Sequence, residues 1–109
     1  MSSVSDDLTR IGNIGTSFTA TVSRVISGSD VAVDLSGTSK VELEFEKDDG
    51  VRLIVVATIV TPPGTDGIIT FKDTVGIFDQ IGRWKVRGIA TFINGDVFKG
   101  SWKGFHVAE

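Results

Sequence analysis

A chain of 109 residues, 40% of them hydrophobic and 23% charged, is one globular domain with room for a single two-layer core. It holds no cysteine, which excludes disulfides, thiolate metal centres and thiol catalysis, and its thirteen glycines and two prolines suit short strands and tight turns better than helices. The net charge of −3 argues against nucleic acid as the principal partner, and it is uneven: nine acids and four bases in residues 1–50, five acids and seven bases in residues 51–109.

Residues 1–14 lack sustained alternation. With Val4, Leu8, Ile11 and Ile14 spaced among serines and aspartates, they read as a flexible N-terminal arm ahead of a domain spanning 15–109. No segment approaches the roughly 20 apolar residues of a membrane span, and "MSSVSDDLTR" has no hydrophobic run, so neither a bilayer anchor nor a signal peptide is expected.

Period-two patterning then takes over. "SFTATV" alternates Phe18, Ala20 and Val22 against small polar residues, and "DVAVDL" repeats this with Val31, Val33 and Leu35 after a Ser-Gly-Ser-Asp turn. "KVELEFEK" sends Val41, Leu43 and Phe45 to a core and Glu42, Glu44 and Glu46 to water. Asp48 to Gly50 make a hairpin turn. "VRLIVVATIV" has almost no polar face, the pattern of a central strand covered on both sides, and "TPPGTDG" breaks it. "IITFK" resumes pairing. "DTVGIFDQIG" crosses to "RWKVRGIATFI", where Trp84, Val86, Ala90 and Phe92 share one face and Lys85, Arg87, Ile89, Thr91 and Ile93 the other. "NGD" at 94–96 closes a second hairpin, and a last strand runs from Val97 to Val107. Strict alternation in "VFKGSWKGFHV" would send Phe105 and Val107 to the side of the lysines. A one-residue bulge near Gly104 would return them to the face of Phe98 and Trp102, so these aromatics read as core.

Residues that could carry chemistry are sparse. His106 is the only histidine and has no patterned carboxylate near it, and Asp6–Asp7 and Asp48–Asp49 lack the ligand spacing of a calcium loop. The three glutamates lie about 7 Å apart in succession on one strand face, a charged surface rather than the paired carboxylates of a cleft. Neither "GTDG" nor "GRWKVRG" opens a helix after a strand as a phosphate cradle does. No catalytic residue, metal or cofactor is therefore expected, and no enzyme activity. Arg83, Lys85, Arg87, Lys99 and Lys103 fall on two neighbouring strands as a basic stripe without the interleaved aromatics of a nucleic-acid platform.

At "DLSGTSKVELEFEKDDGVRL", at "GIFDQIGRWKV" and at the closing "FHV" the sequence resembles the immunoglobulin-like N-terminal domain of phage baseplate upper proteins and related phage virion domains. The resemblance covers about residues 16–107 and departs at Asp48, where proline is usual. It implies an all-β fold, an immunoglobulin-like antiparallel β-sandwich of about seven strands, with Asp79, Gly82 and Trp84 as a structural corner. In that corner Gly82 permits a tight turn into the strand, Asp79 accepts backbone N–H bonds and Trp84 drops between the sheets. The implied function is non-enzymatic: a virion tail, baseplate, adaptor or decoration subunit, assembled in the host cytoplasm, in contact with other phage structural proteins and present in several copies. The expected contact surface is the outer face of strands 51–60, 83–93 and 97–107, with Ile54, Val56, Ile89 and Ile93 beside Lys85, Arg87, Lys99 and Lys103. The arm adds Val4, Leu8, Ile11 and Ile14 laid across a neighbour. The alternative is a carbohydrate-binding module for a cell-surface glycan, which needs Trp84 or Trp102 exposed as a flat platform.

Overall fold

The computed structural model describes residue 15, residues 17–73 and residues 76–108, so the arm with Val4, Leu8, Ile11 and Ile14 lies outside the described residues. The described chain is all-β, with strands β1 (Ser17–Thr21), β2 (Ser23–Ile26), β3 (Ser29–Ala32), β4 (Thr38–Glu46), β5 (Arg52–Ile59), β6 (Ile68–Lys72), β7 (Gly82–Phe92), β8 (Val97–Lys99) and β9 (Lys103–Val107). Seven of them form one antiparallel sheet in the order β1-β6-β5-β4-β7-β8, with β9 also on β7, while β2 and β3 pair only with each other. Among the described residues no helix is long and apolar enough to cross a membrane.

The sheet curls into two layers because β5 changes partners along its length. Its Arg52–Ala57 stretch pairs with β4, and Thr58 and Ile59 pair with β6. Alternation in β4, β6 and β7 then aims one face of each layer inward. The core is a cluster of rings: Phe18 from β1 meets Phe45 from β4 at 5.2 Å and Phe105 from β9 at 5.0 Å, and Phe78 meets Trp84 at 5.4 Å. Val22, Leu35, Leu43, Ile69, Val86 and Val107 fill the remainder. The result is compatible with a β-sandwich, with more and shorter strands than the seven expected.

Both expected hairpin turns form at glycines with positive φ, Gly50 and Gly95. The Ser-Gly turn after β2 is tighter, with Ser27 and Gly28 both at positive φ, the signature of a two-residue turn matched to strand twist. The segment beyond it differs from its sequence pattern. Val31 does not enter the core but stays exposed on β3, while Leu35 is buried after the strand has ended.

The β2–β3 ribbon is rooted where two glycines allow close approach. A Cβ on Gly88 would lie 2.3 Å from Val22 Cγ2, and one on Gly100 would lie 3.0 Å from the Ser23 carbonyl oxygen. Gly100 donates its N–H to the Gly88 carbonyl at 2.8 Å, and Ser101 donates to the Ser23 carbonyl at 2.8 Å. This detour separates β8 from β9 and inserts one residue, since Phe98 faces Ala90 whereas Phe105 faces Trp84. The register change expected near Gly104 thus occurs at Gly100–Trp102. It returns Phe105 and Val107 to the core and leaves Trp102 outside it. Gly88→Ala is expected to lower stability by about 2–3 kcal/mol, the cost of overpacking against a branched side chain, measured by urea unfolding.

Candidate interaction surface

The outer face of β5, β4, β7 and β8–β9 gathers most of the residues expected to make contacts. Register sets its composition. Glu42, Glu44 and Glu46 on β4 stand opposite Val56, Ile54 and Arg52 on β5, and opposite Ile89, Arg87 and Lys85 on β7. A row of acids therefore runs between an apolar strand on one side and a basic one on the other.

The centre of this face is a closed unit. The Arg87 Nε donates to Glu44 Oε1 at 2.6 Å, with 17% and 8% of the two side chains exposed. Trp102, half-buried, lies against the arginine of this pair, its ring 4.3 Å from the Arg87 guanidinium carbon and 5.4 Å from that of Arg52. A guanidinium held between a carboxylate and an indole combines a charge-assisted hydrogen bond with cation–π attraction. Trp102 is thus a cap on the outer face, which corrects its expected place in the core. The physical reason is the extra residue at Gly100–Trp102, which rotates the side chain to the other side of the sheet.

The remaining ion pairs are looser. Glu46 accepts from Arg52 at 3.1 Å and has Lys85 at 3.9 Å, and Glu42 has Lys40 at 3.8 Å. Lys103 leaves the basic stripe to bond Asp30 of the β2–β3 ribbon. Lys99 and Arg83 are exposed. The stripe is therefore largely neutralised by the chain's own acids.

The apolar members divide. Ile54 and Val56 are open to solvent, at 53% and 70% exposure, so β5 is central in the sheet but not covered on both sides as expected. Ile93 sits just past the end of β7 and is the most exposed large apolar residue described. Ile89 is the opposite: it points outward yet is only 5% exposed, so it offers no contact surface. It lies between Glu42 and Lys99 in register, where long side chains can cover it with their methylenes.

The corner is built as expected at Gly82 and Trp84 but not at Asp79. Gly82 has φ 133°, and a Cβ there would meet Asp48 Cγ at 2.7 Å. Trp84 is 1% exposed, with its indole N–H donated to the Gln80 carbonyl at 3.1 Å. Asp79 accepts from the Lys47 ammonium at 3.0 Å rather than from backbone N–H groups. Two other aspartates do the backbone work. Buried Asp73 accepts from the Gly76 and Ile77 amides at 2.7 and 2.9 Å, and Asp48 accepts from the Arg83 amide at 3.1 Å. The β4–β5 turn thus clasps the corner through three consecutive residues, since Asp49 also accepts from the Gln80 side chain at 2.9 Å. Asp48, the departure from the proline of the resembling family, is one of the three.

The Gln80 hydrogen bond, with a second from the Val51 N–H, holds the Asp49 carboxyl below the usual carboxylate range, and Ser36 does the same for Asp34 through its hydroxyl and N–H. A carboxyl with a lowered folded value contributes stability that is present above its unfolded value and lost as pH falls through the folded one. Acidification therefore loosens the clasp.

Beyond the outer strip, an open depression of about 600 Å³ lies over Gly104, between Arg83, Lys85 and His106. A smaller cavity of about 230 Å³ lies where the β2–β3 ribbon meets the body, between Ser23, Asp30, Asp66 and Lys103. Among the described residues no three His, Asp or Glu side chains converge as metal ligands. Sequence reasoning missed the ribbon as a feature of its own, because "DVAVDL" alternates like a core strand whereas all four residues of β3 are exposed. No protein-family model matches this chain, and no curated protein matches it.

Proposed function

We propose that the chain is a non-enzymatic structural subunit of a phage virion, a tail, baseplate, adaptor or decoration protein, that acts through protein–protein contacts and is present in several copies. The observation that carries this reading is the exposure of Ile54 and Val56 on a sheet face where Glu42, Glu44 and Glu46 are each ion-paired. Branched apolar side chains open to water on a hydrogen-bonded central strand, rimmed by ion pairs, make a surface suited to a protein partner. The resemblance to phage baseplate domains supplies the setting, with Gly82 and Trp84 in the corner that the resemblance implies and other phage structural proteins as the partners.

A carbohydrate-binding module is the less supported reading. Trp84 is buried, and Trp102 is half-buried against two guanidinium groups with no aromatic ring beside it among the described residues, so no flat platform of paired rings is available. Quantitative mass spectrometry of purified particles tests the proposal. The chain is expected in fixed stoichiometry with the other virion proteins, and Val56→Lys is expected to reduce its incorporation at least tenfold while the free protein stays folded. Absence of the wild-type chain from particles overturns the reading.

A further inference from the structure

Among the described residues the β2–β3 ribbon presents an exposed outward face. Register puts Arg24 opposite Val31, and Ile26, two residues along, on the same side. Asp30, bound by Lys103, faces the body with Ser23 and Ala32. Ile26 and Val31 remain 44% and 39% exposed, and Arg24 makes no ion pair among the described residues. A two-stranded ribbon is marginal by itself in water, so two branched apolar residues flanking an unpaired arginine call for a covering surface with two apolar contacts and one acid.

The same chain carries that surface elsewhere. On β5, Val56 and Ile54 are exposed two residues apart, and Val56 stands directly opposite Glu42 on β4. Glu42 is the acid of its row with the loosest partner. Glu44 is buried and bonded to Arg87, Glu46 is shared by Arg52 and Lys85, and among the described residues Glu42 pairs with Lys40 alone, at 3.8 Å.

We propose that Arg24, Ile26 and Val31 of the ribbon dock on Glu42, Ile54 and Val56 of a second copy, joining copies head to tail. This deepens the reading of the chain as a contact module, on which it rests, by naming one partner and both surfaces. Donor and receiver are different patches, so the contact is heterologous. Such a contact propagates into a ring or an open chain rather than closing as a two-fold dimer. Charge complementarity sets its register: Arg24 competes with Lys40 for the most loosely paired acid of the row, while the tightly ion-paired centre of the face excludes the ribbon from β7.

A charge swap tests this on the full chain by sedimentation velocity from micromolar to millimolar concentration. Wild type is expected to associate as concentration rises. Arg24→Glu and Glu42→Arg are each expected to weaken association at least tenfold, because each puts like charges at the junction. An equimolar mixture of the two is expected to restore it, since every junction between unlike variants is again Arg–Glu. Near-ultraviolet circular dichroism checks that both variants keep the wild-type fold. A wild type that stays monomeric, single variants that associate like wild type, or a mixture that fails to recover overturns the contact. A monomeric wild type that still enters particles overturns only the second-copy contact. Restored association in the mixture of a chain absent from particles overturns only the virion reading.

Discussion

Trp84→Ala is expected to lower stability by about 3–5 kcal/mol, the usual cost of deleting a large buried aromatic. The upper part of that range applies because the loss has three components. The ring is 1% exposed and packs against Phe45, Phe78 and Phe105 at centroid distances of 6.3, 5.4 and 6.0 Å, so its removal leaves a cavity where both layers meet. The Gln80 carbonyl loses the indole N–H that now satisfies it. Lys47, 5.9 Å from the ring centre and bonded to Asp79, loses the surface it rests on. Guanidinium unfolding followed by the remaining Trp102 fluorescence measures the effect. Trp84→Phe, which keeps most of the volume, is expected to cost less than half as much. A loss under about 1 kcal/mol for the alanine variant would contradict the burial on which the corner depends.

Arg87→Ala is the second large effect, expected to cost about 3 kcal/mol. Removing one partner of a buried pair is expensive because the remaining charge keeps its desolvation penalty without its compensation. Glu44 is that charge, 8% exposed at its side chain, with Arg87 held over it by Trp102. The partial exposure of Arg87 places the cost at the lower end for buried pairs. Glu44→Gln in the Arg87→Ala background removes the stranded charge, so the double variant is expected to be more stable than Arg87→Ala alone by about 1–2 kcal/mol. Urea titration of the four proteins closes the cycle. Additive losses would show that the pair is not coupled.

The residues fall into two groups according to how far their neighbours lie along the chain. "VELEFE" determined its own facing, because side chains on a strand alternate by geometry and a one-residue slip would put three glutamates in the core. "DDG" and "NGD" determined their turns, because Gly50 and Gly95 adopt positive φ at little cost. "RWKV" puts Trp84 and Val86 on one face for the same local reason, and "FHV" puts Phe105 and Val107 on one face, though the shift at Gly100–Trp102 decides that this face is the core. These features rest on interactions within a few residues.

What only the tertiary structure decided concerns the outer face and the corner. Ile89 reads as exposed by alternation, yet it is buried by neighbours on β4 and β8. Trp102 reads as core, yet the detour of Gly100 and Ser101 toward Ser23, some eighty residues earlier, turns it onto Arg87. Asp79 reads as the backbone cap of the corner, but Asp48 and Asp73 take that part because the fold brings the β4–β5 turn and the end of β6 against the corner. Val31 alternates like a core strand, yet the two-residue Ser27–Gly28 turn carries its strand out of the sheet. In each case the side chain's environment is supplied by residues distant in sequence. Period-two patterning specifies which side of a strand a residue takes, but burial on that side depends on what the fold lays across it.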